Sequence, residues 1–254
     1  MTDFIYNNNP YKIYFKGNIS CEEINLINSF KNKDISKEGY EFIEKNWQEI
    51  VKKSNDVYDG DLVELIDFKD KNLYFDYTKY SYTLTTKKPE WKTINKGNYK
   101  SNHIACSIII KTNNNKFLIV SDLKFRDNIQ NWKFIGGFME KEDKTIFDCV
   151  KREAEEETGL SKYITNYNIL SVYGTGHSCC VFGISEVGLT SNEAIDYIQK
   201  NKESIKDNYE TAVIKAINFD SKKIQNLLDC PLLNFGSMTS FNLYLLNDFI
   251  LGNL

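Results

Sequence analysis

Four glutamates fall within five positions in Arg152-Glu153-Ala154-Glu155-Glu156-Glu157-Thr158-Gly159-Leu160, a short way after the pair Gly136-Gly137. On a helix, Glu153, Glu156 and Glu157 stand at i, i+3 and i+4, so their carboxylates share one side while Glu155 points elsewhere. Like charges at that spacing repel, and Arg152 alone does not offset them. Such a set of hard oxygens suits Mg²⁺ or Mn²⁺. The glycine pair lets main-chain groups approach the same place with no side chain in the way, so Gly136 is a candidate metal-facing carbonyl and Gly137 a candidate phosphate-facing turn. Arg152 can orient a carboxylate through a paired hydrogen bond. Divalent ions held there would neutralise a diphosphate, acidify a bound water and stabilise charge during in-line displacement, which is phosphoanhydride hydrolysis. A glutamate-rich helix is on its own more often a solvated face, and it is the spacing and the glycines that set this one apart.

The elements that would carry these residues are readable from periodicity. Ile104 to Ile110 and Phe117 to Ser121 form a hairpin across Thr112-Asn113-Asn114-Asn115, and Trp132 to Ile135 is a short strand running into the glycine pair. The helix spans about Thr145 to Thr158, with Ile146, Cys149, Val150 and Ala154 inward and Gly159 as its stop. Strands near Asn168 to Val172 and Ser178 to Ile184 follow, then a helix near Asn192 to Asn201, a strand at Ala212 to Phe219 and a helix at Ser221 to Asp229. Ser237 to Leu251 is apolar enough for a docking helix.

Upstream the pattern changes. Tyr11 to Phe15 reads as a strand and Cys21 to Phe30 as helical. In Lys37 to Lys53, Tyr40, Ile43, Trp47 and Ile50 recur at helical spacing between acids and lysines. Asp59-Gly60 marks a turn, and Leu62 to Ile66 and Leu73 to Tyr77 read as paired strands. Tyr77 to Thr86, rich in aromatic and hydroxyl side chains, suits a half-buried strand or a ligand-contacting one, with Tyr80 the candidate to stack on a base. Trp132 is a second candidate, although isolated aromatics more often belong to a core. Lys87 to Lys100 reads as the linker, dividing an N-terminal α+β extension, 1–95, from a second domain, 101–254.

Composition narrows the class. With 41% hydrophobic and 26% charged residues the chain can bury a substantial core, and its apolar runs fall far short of a bilayer span. The N-terminus lacks the pattern of a secretion signal, so cytoplasmic residence is the expectation. Six cysteines make no Cys-x-x-Cys pair, and reduced core thiols are expected, with Cys179 and Cys180 on opposite faces of a strand. A net charge of −3 with scattered lysines disfavours a nucleic-acid groove.

Gly137 followed by Arg152 to Leu160 resembles the Nudix box, G-x5-E-x7-R-E-U-x-E-E-x-G-U with U aliphatic. The second half agrees at every fixed position. The first is one residue longer, which leaves Asp143, or with an insertion in the loop Lys144, where the box has its first glutamate. The resemblance implies an α+β fold, a Nudix α/β/α sandwich with a mixed sheet, here with a small N-terminal α+β domain that binds substrate or dimerises. It also implies Mg²⁺ or Mn²⁺ held by Glu153, Glu156 and Glu157. The base that takes the proton from water varies in this family, with Glu156 and Glu210 the candidates here. Residues 36–86 loosely resemble the extension of UDP-glucose pyrophosphatases, which implies a nucleotide sugar such as a UDP-sugar as the small-molecule partner; a homodimer is a separate expectation. Messenger-RNA decapping of the viral type and a non-catalytic nucleotide sensor are the alternatives.

Overall fold

A computed structural model describes residues 2–53, 57–121, 131–230 and 234–253. In chain order the elements are β1 (Thr2–Tyr6), β2 (Asn9–Ser20), β3 (Asn25–Asn28), α1 (Lys37–Val51), β4 (Asp61–Lys69), β5 (Asn72–Lys79), α2 (Tyr80–Thr86), α3 (Trp91–Ile94), β6 (His103–Thr112), β7 (Lys116–Ser121), β8 (Asn131–Lys133), β9 (Ile135–Phe138), α4 (Ile146–Thr158), β10 (Asn168–Gly174), β11 (Ser178–Val187), α5 (Ser191–Lys200), β12 (Val213–Asn218), α6 (Ser221–Leu228), β13 (Asn234–Phe235) and α7 (Ser237–Ile250). The architecture is α+β, one mixed sheet with helices against it, as the resemblance implied.

The sheet runs β1-β2-β10-β11-β6-β4-β5-β3, with β7, β8, β9, β12 and β13 joined off that path. Strand β6 is its hub: it pairs parallel with β11 over its whole length and antiparallel with β9, where Ser107 faces Gly136 and Cys106 faces Gly137. Because its side chains alternate across the sheet, β6 feeds two apolar layers. Ile104, Cys106, Ile108 and Ile110 join Cys149, Val150 and Ala154 of α4 on one face, while Ile109 joins Trp132, Phe182 and Phe241 on the other. Cys179 and Cys180 divide between the same two layers. All six cysteines are free thiols.

Strands from residues 2–79 enter the same sheet: β2 pairs with β10, and Glu64 of β4 meets His103 of β6. The segment 87–100 is held by its own small core, in which Trp91 and Tyr99 are buried and the Trp91 indole N–H donates to the Tyr99 carbonyl at 2.8 Å. On α1 the expected stripe is rotated: Ile43 is buried, whereas Tyr40 is 46% exposed. Among the described residues no helix is long and apolar enough to cross a membrane.

Two local expectations fail. Residues Cys21 to Phe30 are not helical: a 3-10 turn, Cys21–Glu23, is closed by a reciprocal Ser20–Glu23 cap, and the chain then extends as β3 beside β5. Pairing along an open sheet edge outweighs the helical pattern there. Residues Tyr80 to Thr86 are helix rather than strand, because tertiary partners take up their polar groups. Asp59 accepts from the Ser81 main-chain N–H at 2.7 Å and from its hydroxyl at 2.9 Å, and Thr83 bonds Ser101 at 2.9 Å. Local β propensity yields to that satisfaction of buried groups.

Candidate active site

Helix α4 is fixed at both ends. The Thr145 hydroxyl accepts from the Asp148 N–H while the Asp148 carboxylate accepts from the Thr145 N–H, and Gly159 closes the C-terminus at φ 67°. With Ile146, Cys149, Val150 and Ala154 in the core, the i, i+3, i+4 carboxylates face a cavity of about 540 Å³. Glu153, Glu156 and Glu157 line it together with Arg152, Gly136, Gly137 and Glu210. Glu155 is turned away, accepting from the Ser161 hydroxyl.

Arg152 organises this wall. Its Nε donates to Asp143 Oδ1 at 3.2 Å and its Nη2 to Oδ2 at 2.9 Å, and Nη2 also donates to the Phe138 carbonyl at 2.7 Å. Its Nη1 reaches Glu153 at 2.6 Å and Glu156 at 3.2 Å. The position left open between Asp143 and Lys144 is thus taken by Asp143, which is buried and paired with the arginine, while Lys144 is exposed. The shorter acid reaches Arg152 across a loop one residue longer than the box.

The glycines explain how closely the parts pack. Gly136, at φ +144°, lies so near β6 that a Cβ would stand 2.0 Å from the Cys106 carbonyl oxygen. A Cβ on Gly137 would stand 2.5 Å from both Glu153 carboxylate oxygens. The Gly136 N–H donates to Glu157 Oε1 at 3.2 Å, whereas Glu157 Oε2 is buried with no hydrogen-bond partner. Burial pushes the Glu153 carboxyl up to about 7, against the opposing pull of Arg152, and that of Glu157 up to about 8, against Lys133.

Several cavity residues are not among the sequence candidates. Lys133 bridges Glu157, at 3.5 Å, and Glu210, and Lys206 reaches Glu156 at 2.5 Å. Asn242 of α7 accepts from the Tyr173 hydroxyl at 2.6 Å and donates to Ser107 Oγ at 3.1 Å. Of the two candidate stacking aromatics, Trp132 is 1% exposed within the core, with the Lys215 ammonium 4.4 Å from its ring centroid, and does not line the cavity. Tyr80 lies outside it too, packed between Trp47 and Phe138, the latter a cavity residue.

The donor set fits a divalent cation by type: three oxygen acids converge, one buried oxygen has no hydrogen-bond partner and only the Lys133 ammonium at 3.5 Å, and Gly137 leaves their approach open. Among the described residues no three acids, histidines or cysteines are drawn into a ready cage, since Arg152, Lys133 and Lys206 hold the same oxygens.

Residues 101–188 match the sequence model of the NUDIX domain. That segment, which carries β6 to β11 with the glycine pair and α4, is thus similar in sequence to a NUDIX domain. Among solved structures, the MutT protein from Methanosarcina mazei Go1 is 16% identical over 61% of this chain and 98% of its own, with a TM-score of 0.39. A NUDIX family hydrolase from Clostridium perfringens is 14% identical over 59% and 99%, at 0.34. A bifunctional NMN adenylyltransferase/ADP ribose pyrophosphatase from Francisella tularensis is 17% identical over 62% of this chain and 42% of its own, at 0.37. No curated protein matches the chain significantly.

Proposed function

We propose that the protein hydrolyses the pyrophosphate bond of a nucleoside diphosphate linked to a second moiety, a nucleotide sugar such as a UDP-sugar, with Mg²⁺ or Mn²⁺. The observation that carries the reaction is the convergence of Glu153, Glu156 and Glu157 with the bare Gly136-Gly137 backbone on one cavity. Glu153, Glu156, Glu157 and the Gly136 carbonyl would hold the cation. When bound, it supplies charge neutralisation for the diphosphate and a more acidic water. Arg152 keeps the glutamates in place through Asp143 and the Phe138 carbonyl. Lys133 and Lys206 line the cavity and can turn from their carboxylates to phosphate oxygens when substrate enters. Glu210, held by Lys133 across from α4, takes the proton from the attacking water, and Glu156 is the alternative base.

The choice of a nucleotide sugar rests on the resemblance of residues 36–86, and their contribution to the site would pass through Tyr80 against Phe138. Purified protein with Mg²⁺ or Mn²⁺ is expected to split a UDP-sugar into nucleoside monophosphate and sugar phosphate, and Glu157→Gln to lose that turnover. Surviving turnover in Glu157→Gln refutes the metal-ligand assignment. Cleavage of ADP-ribose or capped RNA in place of UDP-sugars refutes the substrate, and no turnover on any of the three points to a sensor.

A further inference from the structure

A second cavity, of about 640 Å³, opens over residues 86–100 and shares no lining residue with the catalytic one. Lys87, Lys88, Lys92, Lys100 and His177 line it and no carboxylate does, in a chain whose net charge is −3. Lys88 donates to the Asn46 side-chain oxygen and Lys100 lies 3.4 Å from His177 Nε2. Among the described residues none of these lysines is in an ion pair. Elsewhere on this protein lysines meet acids routinely, as Lys71 meets Glu23 at 2.5 Å and Lys111 meets Glu186 at 2.8 Å. A concave cluster of cations that excludes acids stores repulsion which only an anion relieves.

The cavity is also built rigidly. Trp91 and Tyr99, 3% and 4% exposed, form its aromatic wall. The indole N–H is tied to the Tyr99 carbonyl, and the Tyr99 hydroxyl to Glu64 at 3.0 Å and Thr78 at 2.9 Å. His177 Nδ1 is buried with no hydrogen-bond partner. Burial and the charges of Lys100, Lys87 and Lys92 hold the His177 imidazole below its ordinary value, and burial with the charge of Lys92 likewise lowers the Lys100 ammonium.

We propose that this cavity binds a small polyphosphorylated ligand, whose phosphate groups contact Lys87, Lys92, Lys100 and His177 above the Trp91–Tyr99 wall. More than one phosphate is needed because a single dianion would balance only about half of the four lysines. Toward the catalytic site, the His103 imidazole, held down by burial and then by the charges of Lys87 and His177, meets the Phe138 ring edge-on at 4.5 Å. Phe138 in turn lines the catalytic cavity.

Calorimetric titration of inorganic tripolyphosphate into the full chain, in excess chelator, separates the two sites, since without metal the glutamate-lined cavity repels a polyanion. Saturable binding is expected, unchanged in Glu157→Gln. It should weaken about tenfold or more in each of Lys92→Glu and Lys100→Glu, in line with loss of a charge-assisted contact. Lys92→Arg and Lys100→Arg, as folded charge-preserving controls, are expected to retain it. Absence of saturable binding at millimolar tripolyphosphate overturns the proposal, as do charge reversals without effect or a loss in Glu157→Gln. Displacement of tripolyphosphate by a short single-stranded RNA at far lower phosphate concentration overturns the small-ligand assignment in favour of nucleic acid.

Discussion

Gly136 and Gly137 are neighbours, yet alanine should damage different things at each. A Cβ at Gly136 meets the Cys106 carbonyl oxygen at 2.0 Å, on a backbone at φ +144°. A relaxed carbon–oxygen contact is about 3.3 Å, so β9 and β6 would have to part by roughly an ångström or more where they are paired. The dihedral alone costs about 1–3 kcal/mol, and weakening one or two ladder hydrogen bonds adds about 1 kcal/mol each, so Gly136→Ala should lose about 2–5 kcal/mol. That is a large share of a typical domain's stability. At Gly137 the Cβ meets only the tip of the Glu153 side chain, at 2.5 Å. A rotation of that carboxylate relieves the overlap for about 1 kcal/mol, but it breaks the 2.6 Å contact with Arg152 and displaces a proposed metal ligand. Gly137→Ala should therefore unfold within about 1 kcal/mol of wild type while losing about 100-fold or more in kcat, a misplacement effect. Urea unfolding followed by Trp fluorescence, together with Mg²⁺-dependent release of nucleoside monophosphate, measures both. Wild-type stability in Gly136→Ala, or wild-type turnover in Gly137→Ala, would show that the reasoning from close approach is wrong.

Burial raises Glu153 to about 7 and Glu157 to about 8, so their share of metal-free stability is intact below pH 4.5 and is lost as pH rises through those values. A divalent cation opposes that loss, so the Mg²⁺-induced rise in Tm should be larger at pH 8.5 than at pH 6 and absent in Glu157→Gln; a rise equal at both pH values would contradict the assignment. His103 behaves oppositely: burial, with Lys87 and His177 nearby, depresses its imidazole to about 3. The unfolded chain takes up a proton near pH 6.5 that the folded one refuses, so stability falls as pH drops below 6.5, by about 2 kcal/mol at pH 5. Because Glu153 and Glu157 add stability over the same interval, the His103 share is read as a difference: the change in urea midpoint from pH 7 to pH 5 should be more favourable in His103→Gln than in wild type. Thr145→Ala removes the α4 cap and should cost about 1 kcal/mol, a drop of about 2–4 °C in Tm by calorimetry.

What the sequence reveals follows from which interactions are local. Helix α4 is legible to within a residue because its cap, its buried stripe and its stop lie within the segment itself, and the same periodicity puts Glu153, Glu156 and Glu157 on the cavity and Glu155 off it. Residues Tyr80 to Thr86 are misread because what decides them, Asp59 and Ser101, is far away in sequence. Lys206 and Asn242 reach the cavity across the fold from 206 and from α7, and no nearby pattern announces them. Lys133 is different. On a strand, successive side chains face opposite sides, so once Trp132 is taken as core, Lys133 must face away from it, toward the side that the following Gly136-Gly137 turn presents to α4. Reading Trp132 as a stacking surface therefore hid the cation beside it, the one that ties Glu157, a proposed metal ligand, to Glu210, the proposed base.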